Sequence, residues 1–245
     1  MRNYYTFLLV VALCFGACNV MRQEQSTEAL YQRAIENSMY ATKQKVHPLI
    51  DIRKENPNLI WKTIDNEDYL LVLTWKSKNF YPASGRYNTG QYETWVTIAP
   101  ELYTKMDQVK PEKQELRLKQ LLGLPPTAQN KIFIEFWVRP ADLFRPCPDK
   151  EIDDSICNTC FTAKDSTDAN YIQWFNTSRI DRYYANGLYN QYPWTQLGYT
   201  YDWYPKNKSH VGVSEFVIGK NKNIYVNKSF TTAEYLAARP EQNNP

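Results

Sequence analysis

Residues 145–160 read RPCPDKEIDDSICNTC, which sets Cys147, Cys157 and Cys160 among Asp149, Glu151, Asp153 and Asp154. Several chemistries use such residues. Zinc takes thiolates in pairs, and Cys157-x-x-Cys160 is half of a site; the other half is missing, since Cys147 stands alone and His47 and His210 are remote. A Cys-x-x-Cys redox pair opens a helix in a βαβ setting, whereas Cys157-Asn158-Thr159-Cys160 lies in a polar, proline-flanked loop. Calcium suits Asp149, Glu151 and Asp153 at alternate positions, but no glycine makes the turn and Cys160 stands where a bidentate glutamate is needed. A disulfide asks only for an oxidising compartment. Cys147 with Cys157 or Cys160 would close a loop of about ten to fourteen residues and stabilise it by about 2–3 kcal/mol. A Cys157–Cys160 bridge with Cys147 free is the other arrangement. The expectation is a disulfide staple, with no metal and no cofactor.

The second chemistry-bearing segment is aromatic. Residues 171–204 hold eight Tyr, three Trp and one Phe, a density that sets this segment apart from the rest of the chain. Aromatic faces stack on sugar rings, and neighbouring amides, carboxylates and guanidinium groups orient them. On that chemistry Trp174, Arg179, Asp181, Tyr183, Tyr184, Trp194, Tyr199, Asp202 and Trp203 are candidate ligand-binding residues. Core packing is the competing role for the same rings.

No catalytic constellation is legible. The chain lacks a G-x-S-x-G elbow, an H-E-x-x-H helix and a phosphate loop. His210 beside Asp202 or Glu215 could serve as a base, and Asp181 with Asp202 could serve glycoside hydrolysis, which demands a set separation in space. Lysines and arginines are scattered and the net charge is only +3, so no nucleic-acid footprint exists.

Compartment decides which of these chemistries is available. Arg2 precedes an apolar run over residues 7–17, which ends at Cys18. A basic start, a short apolar core and small residues before a break describe a signal peptide, too short for the roughly 20 residues of a membrane span. Phe15-Gly16-Ala17-Cys18 resembles the lipobox of bacterial lipoproteins, with Phe15 where Leu is usual. The resemblance implies cleavage before Cys18, lipidation of that cysteine and anchoring in the bacterial cell envelope. Residues 1–17 are then the signal peptide, 18–26 a polar tether and 27–245 a single domain.

The elements that must position these residues follow from periodicity. A helix should begin at Thr27 and run towards His47-Pro48, with Tyr31, Ile35, Met39 and Thr42 on one stripe. YLLVLTW (69–75) and ETWVTIA (93–99) should pair as antiparallel strands. PEKQELRLKQLLG (111–123) carries proline at its start, a Glu115–Lys119 pair and a terminal glycine, and reads as a helix. In KIFIEFWV (131–138) both faces are largely apolar, which suits a central strand. VGVSEFVIG (211–219) and NIYVN (223–227) read as a hairpin, and Thr231 with Glu234 as a capping box for a last helix through Ala238. Mixed order without βαβ alternation predicts an α+β domain with a mostly antiparallel sheet and flanking helices. The function expected is that of an exported lipoprotein binding a glycan or an envelope protein through an aromatic-rich surface. The alternative is an envelope glycan or peptidoglycan hydrolase using a carboxylate pair.

Overall fold

Strand β5 (Ile132–Val138) is where the sheet is organised, and its sequence says why. In the computed structural model, which describes residues 26–237, β5 pairs antiparallel with β2 (Glu67–Lys76) on one side and β10 (Asn223–Thr231) on the other. Ile134, Phe136 and Val138 enter one buried cluster and Phe133 and Trp137 another, as period-2 alternation requires. The expected signal peptide, Cys18 and most of the tether lie outside the described residues. Among the described residues no helix is long and apolar enough to cross a membrane.

The other strands are β1 (Trp61–Ile64), β3 (Gly85–Asn88), β4 (Thr94–Ile98), β6 (Leu143–Phe144), β7 (Tyr199–Tyr201), β8 (Val211–Ser214) and β9 (Phe216–Ile218). The large sheet has eight strands in the order β3-β10-β5-β2-β4-β9-β6, with β1 added on β2, and β7 pairs with β8 in a small sheet of two. Every pairing between them is antiparallel, and with five helices flanking the sheets the fold is α+β. The expected pairing of 69–75 with 93–99 is present as β2–β4, with Val72 opposite Ile98.

The expected C-terminal hairpin is not formed. β9 pairs with β4 and β6, whereas β10 pairs with β3 and β5. Residues 219–222 join two strands that lie four places apart in the sheet. A link of that length reaches about 17 Å, and four strand spacings on a flat sheet need about 19 Å. The sheet is therefore curled, bringing β9 and β10 together across its open side. Hydrogen bonds seal that crossing: Thr89 N–H donates to Lys222 O at 2.9 Å and Asn221 N–H to Gly90 O at 2.7 Å. Inside the curl lie Leu70, Val72, Val96, Ile98, Phe216 and Ile224 with the first face of β5.

Helices α2 (Ala99–Met106), α3 (Gln114–Leu121) and α5 (Thr232–Ala237) cover the outer face, where Leu71, Leu73, Leu102, Leu118, Phe133 and Tyr235 pack together. α3 starts after a 3-10 turn at Pro111–Lys113 and stops before Gly123, whose φ of 67° only glycine adopts freely. The Glu115–Lys119 pair forms at 2.7 Å. α5 has the reciprocal capping box, Thr231 N–H to Glu234 Oε2 at 2.7 Å and Glu234 N–H to Thr231 Oγ1 at 3.2 Å.

Helix α1 (Thr27–Ser38) is capped by Ser26, whose Oγ accepts from Ala29 N–H at 3.1 Å. It ends well before the expected His47, because other side chains take its last carbonyls. Tyr183 Oη lies 2.9 Å from Ser38 O and shares its proton with Trp194 O, while Gln196 Nε2 donates to Met39 O at 3.1 Å and Lys45 Nζ to Tyr40 O at 2.8 Å. Donors of that kind terminate a helix that its own sequence would extend.

Two buried carboxyls make stability depend on pH. Burial raises Glu101, at the start of α2, and Glu215, between β8 and β9, from an ordinary 4.5 to about 7. Between those values the folded chain keeps protons that the unfolded chain has lost. The contribution of each is therefore fully present below about pH 4.5 and is lost as pH rises through about 7. Unfolding followed across pH 4–8 should show about 1–3 kcal/mol of loss per group. Glu101→Gln should flatten part of that slope; an unchanged slope counts against the assignment.

Candidate functional site

The cysteine stretch is a staple. Cys147 and Cys157 are disulfide-bonded across a sequence separation of 10, and Cys160 is free and exposed. Two thiols are thereby removed from any metal-ligand set. Arg145, with no exposed surface, holds the loop from within: its Nη1 pairs with Asp154 Oδ1 at 2.5 Å and its Nη2 donates to Ile50 O and Asp154 O at 2.9 Å. Ile52 N–H donates to Ile152 O and Leu49 N–H to Ser155 O, both at 2.8 Å, so residues 49–52 lie against 152–155. Two further carboxylates of the loop have partners as well. Asp149 Oδ1 accepts from Asn158 N–H at 2.8 Å, and Glu151 pairs with Lys164. Burial raises Asp149 to about 6.

This stapled loop forms one wall of a groove of about 900 Å³. The floor is the first two turns of α4 (Ala169–Tyr183), and the far wall is the 219–222 link with the 3-10 turn Pro140–Asp142. Asp168 caps α4, its Oδ1 accepting from Tyr171 N–H at 3.0 Å, while Lys150 bonds its other oxygen and holds the carboxyl below its usual range. Tyr171 Oη donates to Cys147 O at 2.6 Å, which fixes the helix to the disulfide. Trp174, half-buried, donates Nε1–H to Glu93 Oε2 at 2.7 Å. Glu93 also meets Lys220 at 3.7 Å, and Lys222 meets Asp142 at 3.2 Å. Lys150, Lys220 and Lys222 are thus paired with Asp168, Glu93 and Asp142 in a lining that also holds Trp174.

Most of the aromatic stretch is elsewhere. Trp194 has no exposed surface, and Trp203, Tyr183 and Tyr199 are 2%, 3% and 4% exposed. A ring without surface cannot stack on a ligand arriving from solvent, so these four are core residues rather than platforms. The polar tips of three are spent on backbone: Trp203 Nε1 on Leu124 O at 3.0 Å, Tyr199 Oη on Lys45 O at 2.8 Å and Tyr183 Oη on Ser38 O. Trp194 packs with Tyr31, Ile35 and Phe175 between α1 and α4. Asp202 is equally enclosed. It receives Arg117 at 2.9 and 2.6 Å, Asn207 Nδ2 at 2.7 Å and Tyr204 N–H at 3.0 Å. Asp181 and Tyr184 lie exposed near the end of α4 and Arg179 is half-buried there, so Asp181 and Asp202 form no pair. His210 stacks on Tyr201 at 4.8 Å with Nδ1 at 3.0 Å from Asp202 O, a structural position.

Of the expected ligand-binding residues only Trp174 lines the groove. Glu93, Asp142, Asn170, Lys220 and Lys222 were missed because they come from separate segments with no shared motif. The single usable signal was Trp174 in the second turn of a helix capped by Asp168.

Trp194→Ala and Trp203→Ala should each cost about 3–5 kcal/mol in thermal or urea unfolding, through lost transfer energy and the cavity left behind. Tyr184→Ala should change stability by no more than about 0.5 kcal/mol. Equal effects at all three positions would contradict the burial. Comparison with protein-family models, curated proteins and solved structures finds no match to this chain.

Proposed function

We propose that the chain is an exported lipoprotein of the bacterial cell envelope, anchored through Cys18, whose groove binds a glycan. The anchor reading rests on the basic start, the apolar run and the lipobox-like Phe15-Gly16-Ala17-Cys18. The binding reading rests on one observation: an open groove in which lysine–carboxylate pairs share the lining with a half-buried tryptophan. Hydroxyl-rich chains pair with both donors and acceptors, and a lining with five carboxylates (Glu93, Asp142, Glu151, Asp153, Asp168) against three lysines selects against a polyanion.

Binding is favoured over hydrolysis by the state of the acids. Glycoside cleavage needs one carboxyl to hold a proton while a second is free as base or nucleophile. Glu93, Asp142 and Asp168 each sit against a lysine. A carboxylate engaged by a lysine is already occupied and not free for either role. An envelope protein as partner is the second reading, and it predicts binding that tolerates changes inside the groove.

Two measurements test this reading. Intact-mass analysis of protein from membranes should find a mature N-terminus at Cys18 carrying lipid, and Cys18→Ser should remain unlipidated; Met1 retained on the native protein would end the anchor reading. On a panel of envelope glycans, Asn170→Ala and Lys220→Ala should weaken binding at least tenfold, with Tyr184→Ala unchanged. Glycan binding indifferent to the first two substitutions would remove the groove as the site.

A further inference from the structure

A second pocket, sharing no lining residue with the groove, opens on the outer face of the sheet. It holds about 290 Å³, roughly ten times the ~30 Å³ share of one water molecule. Its walls are of two kinds. Leu73, Trp75, Leu122 and Leu124 give apolar surface, Arg182, Glu215 and Thr97 give buried polar groups, and Lys76 and Asn130 also line it.

The buried polar groups are incompletely paired. Glu215 Oε2, Arg182 Nε and Thr97 Oγ1 are all buried without a hydrogen-bond partner. Such atoms are rare in folded proteins, because each costs about 1–3 kcal/mol when left unpaired. Here three of them line the same cavity. Glu215 is 4% exposed. Arg182 is boxed by aromatic rings, its guanidinium carbon 4.2 Å from the centroid of Trp95, 5.5 Å from that of Tyr192 and 5.8 Å from that of Trp194. That box holds the cation in place without using its hydrogen bonds. Arg182 and Glu215 have opposite charge and line one cavity, yet none of the ion pairs among the described residues joins them. The pocket thus presents a donor and an acceptor set apart.

Proton bookkeeping agrees with an unfilled acceptor. Tyr192 Oη lies 2.8 Å from Leu122 O and 3.2 Å from Glu215 Oε1, and its one proton serves only one of them. With that proton on Leu122 O, a protonated Glu215 donates to Tyr192. Burial, which raises Glu215 to about 7, favours this arrangement.

We propose that this pocket binds a small zwitterion with an apolar side chain, a hydrophobic free amino acid by chemical class. Its carboxylate takes the free Arg182 N–H, its ammonium takes Glu215, and its side chain lies against Leu73, Leu122 and Leu124. Glu215 gives its proton to solvent as the ammonium arrives. A simple monocarboxylate fits less well, because it would set two carboxyl groups side by side with nothing for Glu215 Oε2 to accept.

The test uses the full chain with four probes: L-leucine, L-phenylalanine, octanoate and 2-phenylethylamine. Titration calorimetry and Trp fluorescence should detect at least one of the amino acids, with octanoate and the amine at least tenfold weaker. Glu215→Gln mimics the protonated acid in shape and hydrogen bonding, so it should fold, and it should weaken amino-acid binding at least tenfold. Arg182→Gln should do the same; if its aromatic box collapses without the guanidinium, Glu215→Gln carries the test alone. Lys220→Ala, in the groove, should leave amino-acid binding unchanged, so that this site and the glycan reading fail separately. Octanoate binding as tightly as phenylalanine, unaffected by Glu215→Gln, overturns the proposal, and so does the absence of binding by both amino acids at millimolar concentration.

Discussion

Residues 219–222 carry the chain from β9 to β10, strands that lie four places apart in the sheet. Because so short a link cannot span that distance on a flat surface, the sheet must curl. The rest of the architecture follows from that curl. The inner faces of β2, β4, β5, β9 and β10 close on one another as a core. The outer face becomes convex, so α2, α3 and α5 lie against it and leave a gap where they do not meet α4. The 219–222 link itself becomes a wall of the groove, which is why Lys220 and Lys222 reach the carboxylates of Glu93 and Asp142.

Buried charge is treated in opposite ways at different places. Arg117–Asp202 and Arg145–Asp154 are closed ion pairs with added backbone hydrogen bonds, as buried ions require if their desolvation is to be offset, and only Arg145 Nε among their buried polar atoms is left without a partner. These sites hold segments together: the first ties α3 to residues 202–207, the second ties the stapled loop to residues 49–52. Arg182 and Glu215 are the contrast, sharing a cavity without closing on each other. A buried polar pair left apart on the wall of one cavity calls for a partner, and a ligand entering that cavity supplies one.

The disulfide acts locally. Cys147–Cys157 ties together the ends of a loop with little apolar content of its own, and Tyr171 transmits that rigidity to α4 by bonding Cys147 O. The groove is thus built from one stapled loop, one capped helix and one taut link, each with its backbone fixed by hydrogen bonds. Such a wall can position side chains for binding without contributing to the main core.

Local pattern alone determined the elements. The two apolar faces of β5, the Glu115–Lys119 pair with Gly123, and the Thr231–Glu234 capping box all act within a few residues, so periodicity and cap chemistry exposed them. The staple was legible as a choice among three cysteines in a chain whose first residues read as a signal peptide, but the partner was not, since Cys157 and Cys160 differ only in where the loop turns. Tertiary structure alone decided the sheet order, because β9 and β10 look like a hairpin until their real partners, β4 and β5, compete for them. It also decided the aromatic stretch. Trp194 and Trp203 have the same composition around them as a sugar platform would, and only their burial against α1, α3 and α4 assigns them to the core. The groove and the Glu215 pocket each draw their residues from distant segments of the chain. No motif spans such segments, and only the curl of the sheet brings their side chains within reach of one another.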